Sequence, residues 1–171
     1  MAPERRDRIA DYVGPKLMIT RDELPKYEDG NWVAEPKMDG FWCMAEIWQG
    51  RIAHLTSRSG LPLDGAHGGD VTGLQVGHAE LRGLLCGELT ADTVNGERCG
   101  TRRLHLWDVM EWCGIEMRDK PLHVRRQGLE IIRESLVAKL PDPSILAIVD
   151  QAETHFTAFY DMVLAKGGEG I

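Results

Sequence analysis

Between Asn31 and Thr56 the chain is patterned for antiparallel β-structure, and this constrains its fold more than any other stretch. Trp32, Ala34 and Pro36 alternate with Asn31, Val33 and Glu35, which reads as a strand from Asn31 to Pro36. Met38-Asp39-Gly40 makes a tight turn. Phe41 to Trp48 is rich in aromatic residues, Gln49-Gly50 suits a hairpin turn, and Arg51 to Thr56 returns as a strand. Lys37 stands at the entrance to the first turn, with Glu35 two residues before it and Asp39 two residues after. A lysine flanked by acids at a strand-to-turn junction is a candidate nucleophile. Taken alone, the four-residue match Lys37-Met38-Asp39-Gly40 reads first as a solvated hairpin tip.

The remaining chain mixes strands and helices. Residues 1–30 are charged, and Pro15 and Pro25 break any long helix, so this stretch reads as an arm or lead-in to a domain at 31–171. Leu61 to Gly77 is glycine-rich and aperiodic, hence a surface loop, and Val76 to Gly83 suits a short helix. Leu84 to Thr90 and Arg103 to Val109 read as buried strands, joined by a polar loop over Ala91 to Thr101. The clearest helix is Pro121 to Leu140, with Leu122, Leu129, Ile132, Leu136 and Leu140 on one face and proline in its first turn. Ile145 to Val149 suits a short strand. Thr154 to Ala165 is a second amphipathic helix whose stripe of Phe156, Phe159, Tyr160 and Val163 is core; Lys166-Gly167-Gly168 ends it, and Glu169-Gly170-Ile171 starts another strand. A β-rich half followed by helices is α+β.

Composition narrows the class. A chain of 171 residues suits one domain and buries roughly 70% of its unfolded surface. No run approaches the roughly 20 apolar residues that span a bilayer, and Met1 to Arg8 leads into no apolar signal segment. Cys43, Cys86, Cys99 and Cys113 form no C-x-x-C pair and no zinc spacing, so reduced thiols are expected. The six histidines are scattered and read as surface or structural residues. A net charge of −7 argues against gripping DNA by bulk charge. It leaves Arg51, Arg58, Arg98, Arg102 and Arg103 as candidates for local phosphate contacts.

Five segments change the weight of Lys37. Lys37-Met38-Asp39-Gly40, Ser57-Arg58-Ser59-Gly60, Gly87-Glu88-Leu89, Trp107-Asp108-Val109 and Glu169-Gly170-Ile171 occur in this order. Together they resemble the nucleotidyltransferase motifs of the ATP-dependent DNA ligases, relatives of the RNA ligases and mRNA capping enzymes. The resemblance runs from Trp32 to Ile171. It implies an ATP-grasp-like adenylation domain: antiparallel sheets packed with helices around a nucleotide cleft. It also implies ATP with Mg2+ or Mn2+ as cofactor, nicked duplex DNA as partner, no membrane, a monomer, and a cytoplasmic setting in a bacterial or phage-infected cell.

In that family a lysine in the Lys37 position attacks the α-phosphorus of ATP, forms a covalent lysine–AMP and expels pyrophosphate. The AMP then passes to the 5′-phosphate of the nick. Attack needs a neutral amine, although a free lysine titrates near about 10.4; nearby positive charge and partial burial lower that value. The resemblance gives Glu35 the adenine 6-amino group, Arg58 the sugar or a phosphate, Glu88 a ribose hydroxyl and Trp107 the adenine ring face. It gives Glu169 the catalytic metal, and Asp39 the shape of the turn and the orientation of metal-bound water. Read singly, Glu88 and Asp108 suit strand-end acids, Trp107 suits core, and Glu169 suits a solvated turn.

The chain also departs from the family. Trp42 stands where many DNA ligases carry an arginine, so one ribose or DNA contact is lost or rerouted. Cys86 stands where an acid often precedes the Gly-Glu pair. The lysine-bearing strand and OB-fold domain that follow in the family are not in this sequence, so the chain is expected to be a truncated domain that folds at best marginally, keeps weak ATP binding and does not seal nicks on its own. The alternatives are an RNA ligase, a capping guanylyltransferase, or a non-catalytic nucleotide-binding fragment. No G-x-x-x-x-G-K-[ST] loop is present. Thirty-six residues before Lys37 leave little room for the extra domain of an NAD-dependent ligase.

Overall fold

A computed structural model describes residues 19–63, 71–94, 97–138 and 140–171; the side chains of 92–94 and 97–101 lie outside that description. The described residues fall into two units, Gly40–Ile148 and 19–39 with Val149–Ile171. The architecture is α+β, as the order of strand and helix signals predicts.

The larger unit is built on one sheet. Strands β1 (Phe41–Trp48), β2 (Arg51–Ser57), β3 (Arg82–Val94), β4 (Glu97–Trp112) and β5 (Ile115–Glu116) lie in the order β2-β1-β3-β4-β5. All of these pairs are antiparallel. Helix α1 (Leu122–Val137) follows, then a 3-10 turn at Pro143–Ile145 and β6 (Leu146–Ile148). β6 runs parallel to β4 along Leu104–Leu106. The β1–β2 turn is Gln49-Gly50, with φ of 51° and 72°, the mirror-image turn geometry that matches strand twist.

Side chains alternate across the sheet. One face carries Cys43, Ala45, Ile47, Leu85, Leu89, Leu104, Leu106 and Val109, and it is closed by Leu129, Ile132 and Leu136 of α1. Leu63, Val71 and Val76 also join this core. The other face carries a smaller cluster of Met44, Leu84 and Cys86, with Trp42, Trp107 and Met110 half-buried against it.

The smaller unit pairs a 3-10 helix (Arg21–Tyr27) with α2 (Phe156–Ala165). Leu24, Ala34 and Phe156 are its buried centre, with Tyr27, Ala152, Phe159, Tyr160 and Ile171 packed on it. Arg21 forks onto Asp161 at 2.8 and 2.5 Å. Glu28 accepts the Phe156 N–H at 2.8 Å, which satisfies a donor in the first turn of α2. Gly167 at φ 83° ends α2, and the N–H of Gly168 returns to the Val163 carbonyl at 2.9 Å.

Several expectations are corrected. Asn31 to Pro36 forms no strand: among the described residues its one ladder contact is the Ala34–Ala152 bridge, and Pro36 has no N–H to extend it. Glu169–Ile171 likewise forms no strand. Val76 to Gly83 forms no helix, because Val76 and Gly77 give their N–H groups to the Gly50 carbonyl at 2.8 and 3.0 Å. Leu61 to Gly77 is anchored to the core and bridges β2 at Thr56–Pro62 and Arg51–Gln75, although 64–70 lie outside the described residues. Within the expected loop, 91–94 and 97–101 are strand; β3 and β4 pair out to Val94–Glu97. Ile145 to Val149 forms the expected strand, shortened to Leu146–Ile148.

Candidate active site

In the smaller unit, Lys37 Nζ contacts Glu169 Oε2, an ion pair between residues 132 apart in sequence. The backbone repeats the link, since the Lys37 N–H donates to the Gly170 carbonyl at 2.8 Å. Gly170 adopts φ 141°, where side chains are strained, and its residue position abuts the Tyr160 ring. Glu35 is half-buried, and Gln151 Nε2 donates to its Oε1 at 3.1 Å. Asp39 is exposed at the end of this unit.

In the larger unit, Gly40 begins the approach to β1. Its N–H donates to Glu88 Oε1 at 2.6 Å. A Cβ there would lie 2.5 Å from the Leu89 carbonyl oxygen and 2.8 Å from Glu88 Cγ. The motif glycine is therefore required by close approach to β3 rather than by a positive φ. Glu88 lies directly across from Trp42 in the β1–β3 register. Trp42 and Trp107 are both packed on the Met44, Leu84 and Cys86 cluster, so the residue that departs from the family pattern adds a second indole to this face.

Trp107 owes its position to an irregular strand. Cys86 pairs with Asp108 and Gly87 with Leu106, which leaves Trp107 as an extra residue in β4. Leu85 pairs with Val109 and Leu84 with Glu111, which does the same for Met110. Asp108 is held by Arg125 of α1 through two bonds of 2.8 and 2.9 Å. Arg125 Nη1 also donates to the Lys120 carbonyl at 2.6 Å.

Arg58 is exposed on a defined turn after β2. The Ser57 carbonyl accepts from Gly60 N–H at 2.9 Å, Ser57 Oγ accepts from Leu61 N–H at 3.0 Å, and Gly60 has φ 78°. Of the other arginines proposed for phosphate, Arg51 is exposed and Arg102 and Arg103 are half-buried, while the side chain of Arg98 lies outside the described residues.

Electrostatics at the sheet are dominated by burial. Burial pushes the Cys43 and Cys86 thiols up to about 12. Cys86 is also raised by the neighbouring Asp108 carboxylate. Both are inert protonated thiols near neutral pH, and Cys43, Cys86 and Cys113 are free. Among the described residues no three His, Cys, Asp or Glu side chains converge as a metal-ligand group. Glu169 contacts Lys37. No helix among the described residues is long and apolar enough to cross a membrane.

The geometry thus joins Lys37 with Glu169-Gly170 and, separately, Gly40, Trp42, Glu88 and Trp107. Two partners had no legible sequence signal. Gln151 lies 116 residues from Glu35, and Arg125 lies 17 residues from Asp108 across a turn and a helix start.

No protein-family model and no curated protein matches the chain. Solved structures do. A mycobacterial DNA ligase D complexed with ATP and MES superposes with a TM-score of 0.63 at 20% identity, over 80% of this chain and 45% of that one. The ligase domain of M. tuberculosis LigD gives 0.57 at 19% identity, over 80% and 46%. A structure named Pmar-Lig_PreS3 gives 0.57 at 14% identity, over 96% and 44%. The chain spans less than half the length of each of these structures. By its α+β sheet, its helices and these superpositions, the chain has the fold of the ligase domains of DNA ligases.

Proposed function

We propose that this chain is the adenylation domain of an ATP-dependent DNA ligase, with 1–30 as lead-in and 31–171 as the nucleotidyltransferase domain. One observation carries the reading. The lysine of K-x-D-G and the Glu-Gly of the last motif, far apart in sequence, meet through both side chain and backbone. The fold shared with a ligase complexed with ATP supports it.

On this reading Lys37 Nζ attacks the α-phosphorus of ATP. The N–P bond forms, the bond from the α-phosphorus to the bridging oxygen breaks, and pyrophosphate leaves with the electron pair. Attack needs the nitrogen lone pair, so the ammonium must first lose a proton. Glu169, in contact with Nζ, favours the ammonium, so on this reading the pair opens and the proton passes to solvent before attack. An exposed pair of this kind contributes under about 1 kcal/mol to stability, so opening it costs little. In the next step a 5′-phosphate oxygen of nicked duplex DNA attacks the same phosphorus and Lys37 leaves. The 3′-hydroxyl then displaces AMP to form the phosphodiester.

The other assignments follow the resemblance. Glu35, oriented by Gln151, accepts from the adenine 6-amino group; facing a guanine O6, its acceptor would be left unpaired at a cost of roughly 1–3 kcal/mol. Trp107 stacks on the ring, Glu88 accepts from a ribose hydroxyl, Arg58 contacts sugar or phosphate, and Asp39 shapes the turn. Glu169 is read as a partner of the Mg2+ or Mn2+ that accompanies the phosphates of the nucleotide. Free buried thiols agree with a reducing, cytoplasmic setting, and we propose a monomer there.

The test is covalent labelling with α-labelled ATP and magnesium. Label that is acid-labile and alkali-stable on the wild type, and lost in Lys37→Ala, is the expected result. Equal label on the variant would refute the assignment.

A further inference from the structure

Trp107 is placed by something outside its own packing. It is the extra residue of a bulge, and such irregularities re-aim a side chain and bend the strand that carries it. The next residue, Asp108, is locked. Its two carboxylate oxygens accept from Nε and Nη2 of Arg125, the parallel arrangement that a guanidinium alone offers and the strong form of an ion pair. The side chains of Arg125 and Asp108 are only 18% and 14% exposed, so water competes weakly for either. Arg125 is itself fixed at both ends. Its third nitrogen donates to the Lys120 carbonyl just before α1, and α1 is pinned to the closed face of the sheet by Leu129, Ile132 and Leu136. Cys86, directly across from Asp108, is a buried protonated thiol and adds no competing charge. The helix core is thereby connected through Arg125 and Asp108 to the backbone that carries the Trp107 ring.

We propose that Arg125 is a positioning residue for nucleotide binding: by gripping Asp108 it holds the β4 bulge that presents Trp107 to the base. The inference rests on the reading of Trp107 as the stacking residue. It adds a residue that touches no nucleotide, sits on a helix, and sets how well the ring is preorganised. A loosened bulge lets the indole sample other orientations, and base affinity falls although every contact residue is still present.

The test is a double-mutant cycle read by ATP affinity, with thermal unfolding checking the fold of each variant. Trp107→Ala alone should weaken ATP binding by about tenfold. Arg125→Met should weaken it about tenfold with Trp107 present, but no more than about twofold when combined with Trp107→Ala. Arg125→Lys, which keeps the charge and loses the fork, should fall between. Asp108→Asn runs the same cycle from the other side of the pair and decides the matter if Arg125→Met does not fold. A merely structural arginine would give equal losses in both backgrounds, and that additivity would overturn the proposal. So would unchanged affinity in the Arg125 and Asp108 variants while Trp107→Ala still binds weakly. If Trp107→Ala itself binds ATP normally, the stacking assignment fails first and the proposal falls with it.

Discussion

The two faces of the sheet are built from the same strands yet differ in kind. The closed face is almost wholly aliphatic, with Ile47, Ile52, Leu55, Leu85, Leu104 and Leu106 buried to 1% exposure or less. The other face ends in half-buried indoles, a methionine and the carboxylate of Glu88. Regular alternation produces the first. Two register shifts in β4 produce the second, because each adds a bulky residue, Met110 and Trp107, to the same side. A face with full aliphatic burial is occupied with stability. A face that leaves large flat rings partly uncovered beside a fixed acid has surface to spend on a ligand. If the second face holds the base as proposed, one residue change disturbs folding and another disturbs binding.

That contrast can be broken experimentally. The largest effect is expected from Leu106→Ala on the closed face. It should cost about 2–5 kcal/mol in urea unfolding while leaving ATP affinity of the folded fraction nearly unchanged. A cost below that of Trp107→Ala would remove the distinction between the faces.

Alkaline pH probes both faces at once. Cys43 lies on one and Cys86 on the other, and burial raises each thiol from 9.0 to about 12. The native state then holds protons that the unfolded chain has released. The stabilisation is complete below pH 9 and is lost as pH rises towards 12, with a slope of about 1.4 kcal/mol per pH unit for each thiol. Denaturant midpoints across this range should fall, and Cys86→Ala should remove part of the slope.

Trp107→Ala should weaken ATP binding by about tenfold, roughly 1.4 kcal/mol, with a smaller change in stability than the leucine variant. Calorimetric titration checks both nucleotides, since loss of a stacking ring should affect ATP and GTP alike. The smallest effect belongs to Glu35→Ala, which should narrow the preference for ATP over GTP. An unchanged ratio would take the 6-amino assignment away from Glu35.

Much of the closed face was legible in sequence, and so was the helix of the smaller unit. The Gln49-Gly50 hairpin and the stripe of Leu129, Ile132 and Leu136 on the one, and the core role of Phe156 and Val163 within the other, follow from period and turn chemistry alone. The extension of β3 and β4 past Thr90 did not, because a two-stranded ribbon satisfies its backbone whatever the polarity of its side chains. Asn95-Gly96, a dipeptide suited to a two-residue turn, was the available signal. Asn31 to Pro36 shows the converse: alternation without a partner strand gives one bridge and no ladder. Motif order pointed to Lys37 and Glu169 as members of one set, but their direct contact is a product of tertiary structure. The pairings of Glu35 with Gln151 and Asp108 with Arg125 had no local pattern to announce them.

The central claim is that Lys37 becomes covalently adenylylated. Incubation of the protein with ATP and magnesium, followed by proteolysis and mass spectrometry under alkaline conditions, tests it most directly. One AMP adduct is expected, on the peptide containing Lys37. An adduct on any of the other five lysines with Lys37 unmodified, or ATP binding with no adduct at any lysine, would contradict it.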